Sequence, residues 1–308
     1  MVGMVAPSGE QFQISGGGYR AVITESGAAL RLLEHHGRPL IDGFEESEMA
    51  YGGRGQLLMP WPNRIEDGAY SFDGRDLRLA LTEPRHHNAS HGLARWASWS
   101  LEELTDNSVS LVLRLMAQTG YPWTVDLHVL YDLSADGLTV TQTATNLADT
   151  RAPYACGAHP YLTLGGGTLD DWELTLPASR RMLLDERQLP RGEEDVEGTD
   201  YDFRVSRPIR GASFDHPFTD LERDSSGRAT VALQGQGRQL ILWVDAGISW
   251  LQVYSADDVS THGRRSLAVE PMTSPPNAFR SGIDVVTLTP AGQSGDEHSV
   301  SWGVREVS

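Results

Sequence analysis

Five short stretches of this 308-residue chain set reactive side chains among prolines, glycines and apolar neighbours. They read Pro60-Trp61-Pro62-Asn63-Arg64-Ile65, Ser90-His91-Gly92-Leu93, Ala158-His159-Pro160-Tyr161, Phe214-Asp215-His216-Pro217-Phe218 and Val269-Glu270-Pro271-Met272. Prolines stiffen loops, and a stiff loop holds a catalytic group better than a pliable one. Tryptophans and tyrosines beside these polar groups could form a stacking floor for a sugar ring, whose C–H face is apolar and whose rim is polar. Each stretch alone reads as a structural turn. The set reads as one site.

Other chemistries find little support. The chain contains no G-x-S-x-G elbow, no G-x-G-x-x-G loop and no H-E-x-x-H pair. Cys156 lies three residues before His159, yet a lone cysteine in a strand–turn context reads as a small buried apolar residue. His87 and His91 have the four-residue spacing of a helical metal pair, but Asn88-Ala89-Ser90 and Gly92 make the segment loop-like. His86 and His87 are therefore read as exposed loop histidines, and no metal and no organic cofactor is expected.

Composition narrows the partners. The net formal charge is -17, and all 25 basic residues are arginines. Without lysine there is no Schiff base, no pyridoxal-phosphate attachment and no P-loop lysine. So acidic a chain is repelled by nucleic-acid backbones and by anionic membranes. No apolar run approaches the ~20 residues that span a bilayer. The first ten residues carry no basic and apolar leader pattern. One cysteine cannot close an internal disulfide. These features predict a soluble, cytoplasmic protein acting on a small neutral or weakly charged molecule, as a monomer or homodimer.

The elements that must position these groups read almost entirely as strands. Val109, Leu111, Leu113 and Leu115 share one face of their run, and Trp123, Val125, Leu127, Val129 and Tyr131 alternate with polar neighbours. Thr139, Thr141, Thr143 and Thr145 line one side of the next. Further runs fall at 172–176, 229–233, 239–244, 250–254 and 285–288. Asp73-Gly74, Asp136-Gly137, Gly165-Gly166-Gly167 and Ser226-Gly227 punctuate them. Residues 191–202, acidic and bearing glycine, read as a surface loop. No sustained helical period appears. The expectation is all-β: one domain over residues 1–308, built as a large antiparallel β-sandwich.

In this order the motifs resemble the aldose 1-epimerase (galactose mutarotase) family, and in particular its bacterial branch that includes a proposed sulfoquinovose mutarotase. The matching text begins with GQLLMPWPNRI at 55–65 and DGAYSFDG at 67–74, followed by NASHGL at 88–93 and AHPY at 158–161. DHPFTDL at 215–221 and EPMTSPPNAF at 270–279 close it, and the likeness covers roughly residues 20–303. The resemblance implies the family's supersandwich fold. It implies His159 as general acid and Glu270 as general base. Arg64, His91 and Asp215 would hold the sugar hydroxyls, with Asp220 the competing alignment for Asp215.

The implied reaction suits these groups. Mutarotation opens a hemiacetal ring and closes it on the other face, which needs a proton delivered to the ring oxygen and another taken from the C1 hydroxyl. Histidine titrates near neutrality and can donate, while a carboxylate can accept. Each such group typically contributes ~10²–10⁴-fold. Three competing readings stand beside it. A hexose-6-phosphate or sulfo-sugar epimerase on the same fold would need an arginine clamp, for which Arg54, Arg64 and Arg95 are candidates. A non-catalytic sugar binder would have lost the acid or the base. A lyase or hydrolase would want paired carboxylates.

Overall fold

The structure, a computed structural model, describes residues 5–257 and 263–307. The first four residues of the N-terminal stretch read for a leader lie outside these. Every strand pairing among the described residues is antiparallel. The only helical elements among them are a 3-10 turn at Leu169–Asp171 and a helix at Ala278–Ser281.

Two large sheets carry the architecture. A nine-stranded sheet runs from Ser100–Leu104 through Ser108–Leu115, Val125–Ser134, Gly137–Asn146 and Glu297–Val307 to Arg238–Val244, Ala229–Gly235, Glu173–Thr175 and Arg207–Pro208. An eight-stranded sheet orders Pro190–Asp195, Ala178–Leu184, Asp215–Leu221, Trp250–Tyr254, Leu267–Met272, Gly157–Ala158 and Leu57–Leu58, with Tyr161–Leu162 also pairing Leu267–Met272. A four-stranded N-terminal sheet spans Gln11–Gly16 to Arg38–Pro39. This is the expected antiparallel β-sandwich.

The period-2 runs explain the packing. Val125–Ser134 buries Val125, Leu127, Val129, Tyr131 and Leu133 and turns the alternate residues outward. In Gly137–Asn146 the threonines face out, and Thr141 and Thr143 hydrogen-bond Ser301 and Ser299 across the ladder at 2.9 and 3.0 Å. Inward residues of both large sheets, among them Val140, Ala144, Trp302, Leu251, Val253, Leu267 and Val269, join one hydrophobic cluster.

Two features bear on the site. Leu267–Met272 is buried at every position, so the even-numbered face opposite the core is also covered. That face carries Glu270. A polar tether also crosses the core: Trp302 donates to Gln142 Oε1 at 3.1 Å, and Gln142 Nε2 donates to the Gly157 carbonyl at 3.1 Å. Leaving either buried group unpaired would cost about 1–3 kcal/mol, so the segment entering His159 is fastened to the opposite sheet.

One expectation needs correction. Residues 191–202 are not simply a loop, because Pro190–Asp195 is a strand paired with Ala178–Leu184. Its acids are drawn into the ladder by arginines, Glu194 by Arg181 and Glu193 by Arg180, the latter at 3.1 Å. Cross-strand opposite charges outweigh the poor strand propensity of the stretch.

Candidate active site

The face of the eight-stranded sheet that carries Asp215, Gln252, Tyr254 and Glu270 floors a cleft of about 730 Å³, within the roughly 300–1,000 Å³ of small-molecule sites. Register brings its groups together. Gln252 stands opposite Glu270, Tyr254 opposite Ala268 and Asp215 opposite Tyr254. Arg64 pairs Ser90 in the short ladder of Arg64–Glu66 with Asn88–Ser90, which places His91 next to Arg64. Arg64, His91, His159, Asp215 and Glu270 all line this one cleft.

His159 and Glu270 form its centre. His159 Nε2 lies 3.3 Å from Glu270 Oε1, and both side chains are almost wholly buried. Glu270 Oε2 is buried with no hydrogen-bond partner among the described residues, a vacancy that buried carboxylate oxygens rarely keep. The imidazole lies parallel to the Tyr161 ring at 4.9 Å, and the Tyr161 hydroxyl donates to the Gly52 carbonyl at 2.7 Å. Gly53 adopts φ +78°, and a Cβ there would sit 2.6 Å from His159 Cδ2. No side chain fits between that loop and the ring.

Burial governs the proton affinities. Desolvation pushes the Glu270 carboxyl well above the usual carboxylate range, the Asp215 charge adds to this, and Arg64 opposes it. Desolvation holds the His159 imidazole down, assisted by the cations of Arg54 and Arg95. Both groups are thus biased toward their neutral forms, a carboxylic acid beside a neutral imidazole with one proton to share across the 3.3 Å contact. His91 is likewise held neutral by burial. Its Nδ1 accepts the Asn63 backbone N–H at 3.2 Å, which assigns the remaining proton to Nε2.

The polar groups around the pair are braced. Arg64 grips Glu83 through two hydrogen bonds of 2.8 and 2.9 Å, and Glu83 also meets His86 Nδ1 at 2.9 Å. Asp215 Oδ1 accepts from Gln252 Nε2 at 2.7 Å, while Gln252 Oε1 accepts from Asn63 at 3.4 Å. Asp220, the alternative to Asp215, is exposed and lies 4.0 Å from Arg180, away from the cleft lining.

Three expectations change. The aromatic lining comes from Tyr51, Tyr161, Phe214 and Tyr254 and includes no tryptophan. Trp61 is buried and packs toward Phe279 at 5.8 Å, because its indole lies on the inner side of the PWPN turn. His86 is not a plain exposed histidine, since it sits half-buried in the cleft wall against Glu83, whereas His87 is exposed. Arg95 does not line the cleft. Cys156 is buried as expected, its thiol pushed up to about 12 by burial.

Sequence reasoning missed Gln252 and Glu83, and it weighed Arg54 only as part of an anion clamp, whereas the structure pairs it with Asp42. Gln252 had a signal: it is the one polar residue inside the run Trp250-Leu251-Gln252-Val253. Among the described residues no group of three or more His, Cys, Asp or Glu is placed to hold a metal, and no helix is long and apolar enough to cross a membrane.

The fold is a mutarotase-type supersandwich with a polar, tyrosine-walled cleft. The profile of the aldose 1-epimerase family matches residues 10–299, and the chain belongs to that family. It is an enzyme of the isomerase class, one that interconverts sugar anomers. It is 35% identical over 298 residues to the protein YihR of Escherichia coli (strain K12), covering 96% of this chain and 93% of that one. It is 28% identical over 264 residues to the galactose mutarotase of Sus scrofa, covering 76% and 75%. Among solved structures, it superposes on an aldose epimerase homologue from C. elegans with a TM-score of 0.84 at 20% identity, covering 97% and 99% of the two chains. The galactose 1-epimerase of Lactobacillus acidophilus gives 0.77 at 20% identity, covering 95% and 92%.

Proposed function

We propose that this chain opens and recloses the ring of a neutral aldohexose, with His159 as the acid and Glu270 as the base. Arg64, His91 and Asp215 hold the sugar hydroxyls. The carrying observation is the buried contact of 3.3 Å between His159 and Glu270, with the second Glu270 oxygen unpartnered.

The step balances within the pair. Imidazolium gives its proton to the ring oxygen, carboxylate takes the C1 hydroxyl proton, and the C1–O bond breaks to leave a C1 aldehyde. Rotation about C1–C2 and the reverse transfers close the other anomer. Ring opening converts an ion pair into two neutral groups, the state that burial favours for both. Desolvation therefore favours the opening step, and reclosure regenerates the ion pair against it. Roughly 10²–10⁴-fold from each group is the scale expected.

The charges in the cleft support a neutral sugar. Arg64 is committed to Glu83, and Arg54 to Asp42 at 3.0 Å. A sulfonated or phosphorylated sugar is the second reading, favoured by Arg85 at the cleft rim, which has no ion pair among the described residues. Anomer exchange followed by polarimetry and NMR on fresh α-aldoses, glucose 6-phosphate and sulfoquinovose decides between them. Exchange confined to the anionic sugars overturns the neutral-substrate reading. No catalysed exchange of any of them overturns the function.

A further inference from the structure

Arg54 is 2% exposed, yet the acid–base scheme makes no use of it. Its guanidinium carbon lies 4.3 Å from the Tyr51 ring centre and 4.2 Å from that of Tyr161. Nη2 donates to Asp42 Oδ2 at 3.0 Å, and the same oxygen accepts the Ser266 hydroxyl at 2.8 Å. The Asp42 backbone N–H donates to the Tyr161 carbonyl at 2.8 Å. Tyr51, Arg54, Tyr161 and His159 thus form one chain of ring and cation contacts, ending on the imidazole 4.9 Å from Tyr161. Taking a guanidinium out of water is costly even when it is paired, and apolar side chains of similar volume often serve packing as well or better. Filling space does not explain the charge.

We propose that Arg54 is a positioning residue for the epimerase reaction: clamped between Tyr51 and Tyr161 and fastened to Asp42, it fixes the ring on which His159 lies and presents a permanent positive charge to that imidazole. The proposal rests on the acid role given to His159. A nearby cation raises the free energy of imidazolium, so a proton loaded onto His159 passes more readily to the ring oxygen. After burial, Arg54 is the largest influence holding down the proton affinity of His159. The other charged or titratable groups facing the imidazole are Glu270, which carries the partner proton, and Arg64, Arg95 and His91. Arg64 and Arg95 act in the same direction as Arg54. The planar guanidinium also matters, because only a flat cation stacks on two rings.

The test is the pH profile of anomer exchange in three variants, with wild type and His159→Gln alongside. In Arg54→Met both limbs of the profile should move to higher pH by about one unit, the scale of one charge acting through a partly screened interior. Its kcat should fall about tenfold and its KM change less than about twofold, a cost in rate and not in binding. Asp42→Asn/Arg54→Gln removes the carboxylate as well as the cation, so it reports a smaller shift of the same sign if Arg54→Met fails to fold. Arg54→Lys keeps the charge and should keep both limbs in place while losing a few-fold in kcat. Unmoved limbs in the neutral variants, or an equal shift in Arg54→Lys, overturn the proposal. Wild-type exchange by His159→Gln overturns the acid assignment itself, which is a different result.

Discussion

Gln252 and Glu270 face each other directly across neighbouring antiparallel strands. The amide of Gln252 turns sideways to Asp215 at 2.7 Å and to Asn63 at 3.4 Å. Gln252, beside the proposed base, thereby sets the position of Asp215, the aspartate proposed to hold the sugar. It also accepts from the side-chain amide of Asn63, whose backbone N–H donates to His91 Nδ1. His159, Glu270, Asp215 and Asn63, from distant parts of the chain, are tied at one cross-strand pair.

Neutralising the base should be the most damaging change. Glu270→Gln keeps size and hydrogen-bonding reach but accepts no proton, so the exchange rate should fall at least ~10²-fold while sugar binding persists. His159→Gln should do comparable damage, and Arg64→Ala should weaken binding as well as rate. Cys156→Ala, which touches no cleft group, should be nearly silent in exchange. Near-normal exchange by Glu270→Gln together with its loss in Cys156→Ala would falsify the mechanism.

The rate should follow a bell in pH. One mobile proton on the pair is the active count. A second is added only below the ordinary histidine range, because burial holds His159 down, so the acid limb lies below about 6.5. That proton leaves only well above the ordinary carboxylate range, because burial and Asp215 hold it on Glu270. An acid limb at or above pH 7 in exchange measurements would contradict this.

Stability should respond to Glu270 with the opposite sign to activity. Its folded pKa is raised, so the native state binds the extra proton above pH ~4.5 and stability is lost as pH rises through the raised value. Glutamine carries no such penalty. Thermal unfolding at pH 8 should therefore give Glu270→Gln a higher Tm than wild type, and the gap should close toward pH 5.

Gln252→Leu removes the brace and leaves Asp215 and Asn63 each short of a partner. Unmade bonds of this kind cost about 1–3 kcal/mol, and KM should rise with the fall in stability. Asp215→Asn should weaken sugar binding, whereas Asp220→Asn should leave it unchanged. The reverse ranking of those two variants would return the alignment to Asp220.

Exhaustive dialysis against a chelator should leave exchange activity intact, since proton transfer between His159, Glu270 and the sugar completes the step. Loss of activity restored by zinc would show that a metal takes part.

Much of this was legible before the fold was seen, for a physical reason. Alternation in Val125–Ser134 is a one-dimensional signal, and so is a glutamate inside the apolar run Leu267–Met272. Trp61 misled because an indole inside a polar, proline-rich turn is read by composition, whereas the turn's geometry sends it toward Phe279. Pro190–Asp195 misled because its strand character comes from arginines on the neighbouring strand. Gln252 and Arg54 gain their roles from cross-strand register and ring stacking, and no spacing along the chain encodes either.

Gln142, itself on the far sheet and braced there by Trp302, is tied to the strand that leads into His159. The floor of the cleft therefore shares the stiffness of the whole sandwich. The rim does not, since Glu83, Arg85, His86, Glu186 and Gln188 come from turns beyond the sheet. Substitutions in those turns reshape the rim and leave the contact between His159 and Glu270 in place. A lineage built on this frame can change diet without relearning its chemistry.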